Sequence, residues 1–108
     1  MDRISLVGMG PIAVATGMAL KKANLSGVEI VGTSGDRNAL SAALKKGAMD
    51  REQGNLRSAV SDAQIVIIDA PLHETHDLLE TIGPLLADGC VVTDTGTSKK
   101  LVIGWADR

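Results

Sequence analysis

A tight glycine turn joins the first apolar run of this chain to a helix rich in small residues. No other feature restricts the possible folds as much. Ile4-Ser5-Leu6-Val7 reads as a strand, Gly8-Met9-Gly10 as the turn, and Pro11 as the first residue of a helix running to about Ala23. Proline suits that position because its missing N–H would have no intrahelical partner there. Ala13 and Gly17 lie four residues apart on one helical face. Both are small, so the helix backbone can come close to whatever it covers. Glycine inside a helix costs about 1 kcal/mol relative to alanine, so Gly17 implies a packing reason.

Strand and helix signals alternate through the rest of the chain. Val28 to Thr33 is a second strand, and Asp36 or Asn38 caps a helix that ends at Gly47. Ala48-Met49-Asp50 reads as a short third strand, and Asn55 to Val60 as a short helix or turn. Ile65-Val66-Ile67-Ile68 is a continuous apolar run, the pattern of a strand buried on both faces, and Pro71 ends it. Glu74 to Leu86 is helical, with Leu78, Leu79, Ile82 and Leu85 directed inward. Cys90 to Asp94 is the next strand, and Thr97 or Ser98 caps a final helix.

This alternation predicts an α/β fold with a parallel sheet covered by helices. Right-handed crossovers give a doubly wound, Rossmann-type sheet of spatial order 3-2-1-4-5. Its crevice lies outside the carboxyl ends of the first and fourth strands. Gly8 to Ile12, Thr33-Ser34, Asp69-Ala70-Pro71 and Asp94-Thr95-Gly96 converge there, and each segment is small, polar or rich in glycine and proline. In that setting the spacing Gly8, Gly10, Ala13 is G-x-G-x-x-A, a turn that presents helix N–H groups to a pyrophosphate. Gly8 permits the bend and Gly10 lets the backbone approach a phosphate. Pro11 removes one N–H, which leaves Ile12 as the donor.

The end of the second strand bears on the nucleotide. An acidic residue there binds a ribose 2′-hydroxyl, as in NAD sites. Ser34 is the first side chain beyond Thr33, and Ser34 with Arg37 suits a 2′-phosphate, which favours NADP. NAD stays open: Asp36 would serve it if the strand ran two residues further. Asp36 also reads as a plain helix cap.

Other classes fit less well. The chain has 108 residues, a net charge of −2 and one aromatic residue, Trp105. It lacks the basic surface and the stacking platform of nucleic-acid binders. No apolar run is long enough to span a membrane. One cysteine, Cys90, rules out an intrachain disulfide, favours a cytoplasmic location, and reads as a buried structural thiol. His73 and His76 have metal-ligand spacing but no third ligand cluster, so no metal is expected. Asp69, closing a buried strand, contacts cofactor or water at the crevice mouth or is a satisfied strand-end carboxylate.

Three segments together resemble the nucleotide-binding domain of the prephenate and arogenate dehydrogenases: Ile4 to Ala13, Ile65 to Leu72, and Val91 to Lys100 with its D-T-G-T-S-K core. The resemblance covers essentially the whole chain. It implies oxidative decarboxylation of prephenate or arogenate with NADP or NAD, in tyrosine biosynthesis. It implies cofactor contacts from Gly8, Met9, Gly10, Pro11, Ile12, Thr33, Ser34 and Arg37, with Gly8, Gly10 and Ile12 at the pyrophosphate and Ser34 and Arg37 at the adenosine ribose. Ala70, Pro71, Thr95 and Gly96 border the nicotinamide, and Thr97 faces substrate. Pro11, Ala13 and Asp69 depart from the family pattern. The family's catalytic histidine motif and helical dimerisation domain would follow residue 108. The expectation is therefore a single truncated domain spanning residues 1–108, inactive by itself, within an enzyme that is a homodimer at full length. A stand-alone nucleotide-sensing regulatory module is the alternative.

Overall fold

The computed structural model describes residues 2–70 and 72–94. Strand β1 (Asp2–Val7) leads through the glycine turn into α1 (Pro11–Ala23), then β2 (Val28–Thr33) and α2 (Arg37–Lys45). The two-residue β3 (Arg51–Glu52), α3 (Leu56–Val60), β4 (Ile65–Ile68), α4 (Leu72–Ile82), a 3-10 turn over Gly83–Leu85 and β5 (Val91–Asp94) follow. All pairings are parallel and the order is β3-β2-β1-β4-β5, as the alternation predicts. The final helix expected after Ser98 lies outside the described residues.

The β1 side chains alternate between two apolar layers, as its pleat requires. Ile4 and Leu6 pack with Ile30, Leu40, Ala43 and Met49 under α1 and α2. Val7 packs on the opposite face with Val60, Val66, Ile68, Leu79, Ile82 and Val92, under α3 and α4. Ser5 shares that second face and is fully buried. A buried hydroxyl needs a partner, and Ser5 Oγ donates to the Ala59 carbonyl, tying α3 beneath β1. On α1, Ala13 and Gly17 are the buried residues, so the small-residue face does meet the sheet.

Two strand expectations are corrected. The third strand is Arg51–Glu52, paired with Val31 and Gly32, and not Ala48-Met49-Asp50. Ala48 and Met49 instead turn inward, where they are 0% and 3% exposed, and pack against the small positions Gly17 and Gly32. Edge position explains the mismatch: β3 is polar and exposed on both residues, so apolar content does not mark it. The β4 run is also not buried on both faces. Val66 and Ile68 are fully buried, whereas Ile65 is 36% exposed and Ile67 only half-buried. The α1 layer covers β1 and β2 more completely than it covers β4.

Helix boundaries follow local chemistry. Asp36 Oδ1 accepts from Ala39 N at 3.1 Å and caps α2, and Asn55 Oδ1 caps α3 through Ser58 N at 3.1 Å. The helix expected to reach Leu86 stops at Ile82, and the chain tightens into the 3-10 turn that contains Pro84. Lys21 and Lys22 occupy the last turn of α1, and Lys21 also pairs with Asp50.

Ion pairs hold β2 to its neighbours. Glu29 accepts from Arg51 Nε at 2.8 Å and from Arg3 Nε at 3.0 Å. The Arg51 hydrogen bond above all, opposed by burial and reinforced by Arg3, keeps the Glu29 carboxyl below its usual range. Burial pushes Asp50 upward, but hydrogen bonds from Lys21 and the Ile30 N–H, with the Lys21 charge, leave its net shift downward. No helix among the described residues is long and apolar enough to cross a membrane.

Candidate functional site

A cleft of about 630 Å³ opens where the strand order reverses. Its floor is the carboxyl ends of β1, β2 and β4, which backbone hydrogen bonds hold together. Gly8 N donates to the Thr33 carbonyl and Asp69 N to the Val7 carbonyl, each at 2.8 Å. Gly8 has φ +92°, a conformation that L side chains rarely adopt. A Cβ there would also stand 2.2 Å from the Asp69 carbonyl oxygen. Both the turn and the neighbouring strand end therefore demand glycine.

Gly8, Met9, Thr33, Ser34 and Ala70 all line the cleft, as the sequence predicts. Gly10, Pro11 and Ile12 stand beside it, where Gly10 is the N-cap of α1 and Pro11 its first residue. Gly10 has no side chain to cap the helix, and Asp69 supplies the cap from 56 residues away. Its Oδ2 accepts from Ala13 N at 2.7 Å. A Cβ on Gly10 would lie 2.6 Å from that carboxylate. Asp69 is thus a satisfied strand-end carboxylate, and it is seated in the glycine turn. Among the described residues the Ile12 N–H has no hydrogen-bond partner, and Ile12 itself is 51% exposed.

At the β2 end, Thr33 is buried and Ser34 half-buried. Ser34 Oγ accepts from Asp36 N at 3.0 Å, which shapes the loop. The strand stops at Thr33, so Asp36 is a capping residue and not a strand-end acid. Arg37 is exposed and does not line the cleft. Its guanidinium reaches across to Gly54, where an added Cβ would meet Nη2 at 3.6 Å. It therefore sits at the rim. Pro71, Thr95, Gly96 and Thr97 lie outside the described residues.

Gly54, Leu56, Glu74 and Leu78 also line the cleft and are absent from the sequence prediction. Gly54 and Leu56 follow β3, and placing that strand three residues early hid them. Glu74 and Leu78 are four apart on one face of α4. That spacing was available in the sequence, but not which edge of the helix faces the opening. Asp36, Asp69 and Glu74 put three carboxylates on the lining, and the described lining holds no lysine or arginine.

No group of three or more His, Cys, Asp and Glu side chains among the described residues is placed to hold a metal ion. Cys90 is 2% exposed and burial raises its thiol pKa, which makes it a packing residue.

A parallel sheet of this order, helices on both faces, and a cleft at the switch point with a glycine turn on its wall define a Rossmann-type nucleotide-binding domain. The profile described as prephenate dehydrogenase, nucleotide-binding domain, matches residues 16–108, and the chain belongs to that family. The match begins after the glycine turn. Prephenate dehydrogenase of Bacillus subtilis (strain 168) is 33% identical over 108 residues, which is 99% of this chain and 29% of that protein. The Lactococcus lactis enzyme of the same name is 31% identical over 110 residues, covering 100% of this chain and 30% of its own length. The chain thus spans less than a third of these relatives. Among solved structures, Synechocystis arogenate dehydrogenase superposes with a TM-score of 0.80 at 23% identity, over 96% of this chain and 36% of that one. Prephenate dehydrogenase from A. aeolicus, in complex with hydroxyphenyl propionate and NAD+, gives 0.81 at 18% identity, over 99% and 37%. These superpositions establish the shared fold.

Proposed function

We propose that this chain supplies the dinucleotide site of a prephenate or arogenate dehydrogenase, with NADP preferred over NAD. The observation that carries the reading is the convergence of the Gly8 turn, the β2 end and the β4 end on one cleft of about 630 Å³. Family membership and the NAD+ complex of the A. aeolicus relative support a nicotinamide dinucleotide as the ligand. Gly8, Met9, Gly10 and the Ile12 N–H would hold the pyrophosphate, with Pro11 setting the helix start. Thr33, Ser34 and Arg37 would hold the adenosine ribose and its 2′-phosphate. The preference for NADP rests on Asp36, which is committed to capping α2, and on Arg37, whose guanidinium lies at the rim beside Gly54.

Ala70 and Pro71, with Thr95 and Gly96, would border the nicotinamide, and the Thr97 hydroxyl would face substrate. When bound, the nicotinamide accepts a hydride. The glycine turn and the β2 end would anchor the rest of the dinucleotide, so that the nicotinamide is held at the β4 end beside Ala70. The whole enzyme would act in tyrosine biosynthesis as a cytoplasmic homodimer, with neither nucleic acid nor membrane as partner.

Calorimetric titration of the 108-residue chain with NADP+ and NAD+ tests the reading. NADP+ should bind more tightly. Arg37→Ala should weaken NADP+ about tenfold and leave NAD+ within twofold, because only the 2′-phosphate meets the guanidinium. Tighter binding of NAD+, or an equal effect of the substitution on both nucleotides, would refute the preference.

A further inference from the structure

We infer that the Asp69 side chain is a resident anion in the phosphate position of this chain, so that a dinucleotide binds only by displacing it. The inference rests on the dinucleotide reading above and goes beyond it by naming an internal competitor.

The first turn of α1 has few amides to offer. Pro11 has none, and Val14 N is already bonded to the Gly10 carbonyl at 3.1 Å. That leaves Ile12 and Ala13, and the Ala13 N–H is taken by Asp69 Oδ2 at 2.7 Å. The same carboxylate lies against Gly10. A Cβ at that position would be 2.8 Å from Oδ1 and 2.6 Å from Oδ2. The space left by the missing glycine side chain, which a phosphate would enter, is therefore bordered on this side by a negative charge.

The electrostatics follow from the geometry. An α-helix carries the equivalent of about half a positive charge at its N-terminus, which one carboxylate in the first turn complements. An incoming pyrophosphate would meet that end already neutralised and would be repelled by the carboxylate at close range. Asp36 and Glu74 add two further carboxylates to the lining of the cleft. Movement is confined to the side chain. Asp69 N is bonded to the Val7 carbonyl at 2.8 Å, and its own carbonyl is pressed against Gly8. Rotation about the Asp69 side-chain bonds would release the Ala13 N–H without disturbing the strand.

Asparagine separates charge from capping, because its amide oxygen still accepts from Ala13 N while the negative charge is gone. In titrations of the 108-residue chain, Asp69→Asn should tighten NAD+ and NADP+ alike, by tenfold or more, since the pyrophosphate is common to both. Inorganic pyrophosphate should gain in the same direction. Asp69→Ala should show the same gain, and circular dichroism of both variants reports whether the fold is retained. In the parent chain, the Ala13 amide resonance should shift on adding either nucleotide, as its partner changes from carboxylate to phosphate. If the parent binds and Asp69→Asn binds equally or more weakly, the inference is overturned while the dinucleotide reading stands. If neither chain binds either nucleotide at millimolar concentration, the dinucleotide reading fails and this inference fails with it.

Discussion

On helix propensity alone, Gly17→Ala should stabilise this chain by about 1 kcal/mol, since glycine is the costlier residue in a helix interior. The tertiary structure reverses the sign. A Cβ at Gly17 would stand 2.1 Å from the Ala48 carbonyl oxygen and 2.9 Å from Leu6 Cδ1. An unstrained carbon–oxygen contact is about 3.3 Å, so α1 and the Ala48 segment must part by roughly 1 Å. The near neighbour is backbone, and no rotamer change relieves it. Ala48 is fully buried and leads into Met49, which packs in the same layer as Leu6 and Leu40. A gap of that size forfeits about a quarter to a half of the dispersion attraction of the atoms it separates. Overpacking that moves backbone falls at the upper end of the usual range, about 3 kcal/mol. Net of the propensity gain, Gly17→Ala should destabilise the chain by about 2 kcal/mol. Urea unfolding followed by circular dichroism should show a lower midpoint at unchanged slope. Thermal unfolding should shift down by about 8–15 °C for a domain of this size. A midpoint equal to or above the parent's would refute the argument, because it would mean that α1 does not need the bare backbone of Gly17 to approach the sheet.

Two further outcomes concern titratable groups. The Glu29 carboxyl is held below its usual value of 4.5, so its contribution to stability is present above that pH and is lost as pH falls through the lower folded-state value. Glu29→Gln should cost about 0.5–1 kcal/mol at pH 7, a figure discounted for solvent screening, and should flatten the acid limb of the stability curve below pH 4.5. An acid limb of unchanged slope would count against the ion-pair assignment. Cys90, buried and with a raised thiol pKa, should resist a thiol reagent at pH 8 in the folded chain and react promptly in urea. Rapid labelling of the native protein would show that the α4–β5 corner opens far more readily than its packing implies.

Element order, strand order and the position of the crevice were all legible in the residues. The apolar run Ile65–Ile68, the Pro11 helix start and the Asp36 cap are local signals, each produced by a few neighbouring residues acting on their own backbone. Handedness then leaves only a few arrangements for parallel strands joined by helices, and the glycine turn after the first strand favours the order 3-2-1-4-5 among them. The cleft lining was half legible. Gly8, Met9, Thr33, Ser34 and Ala70 sit at strand ends, which periodicity locates. Gly54 and Leu56 follow an edge strand that has two exposed polar residues and therefore no apolar signature.

What the tertiary structure alone decided is how distant residues share space. Ala13 and Asp69 are 56 positions apart and meet at 2.7 Å because β1 and β4 are adjacent parallel strands that end in register, Val7 beside Ile68. Sequence spacing marks Gly8 and Gly10 as a turn that phosphate can approach. The folded chain shows both glycines pressed by Asp69, one by its carbonyl and one by its carboxylate. The physical reason is range. Turn and helix chemistry is settled within a few residues, whereas the charge that faces a helix end is set by whichever strand the sheet places beside it.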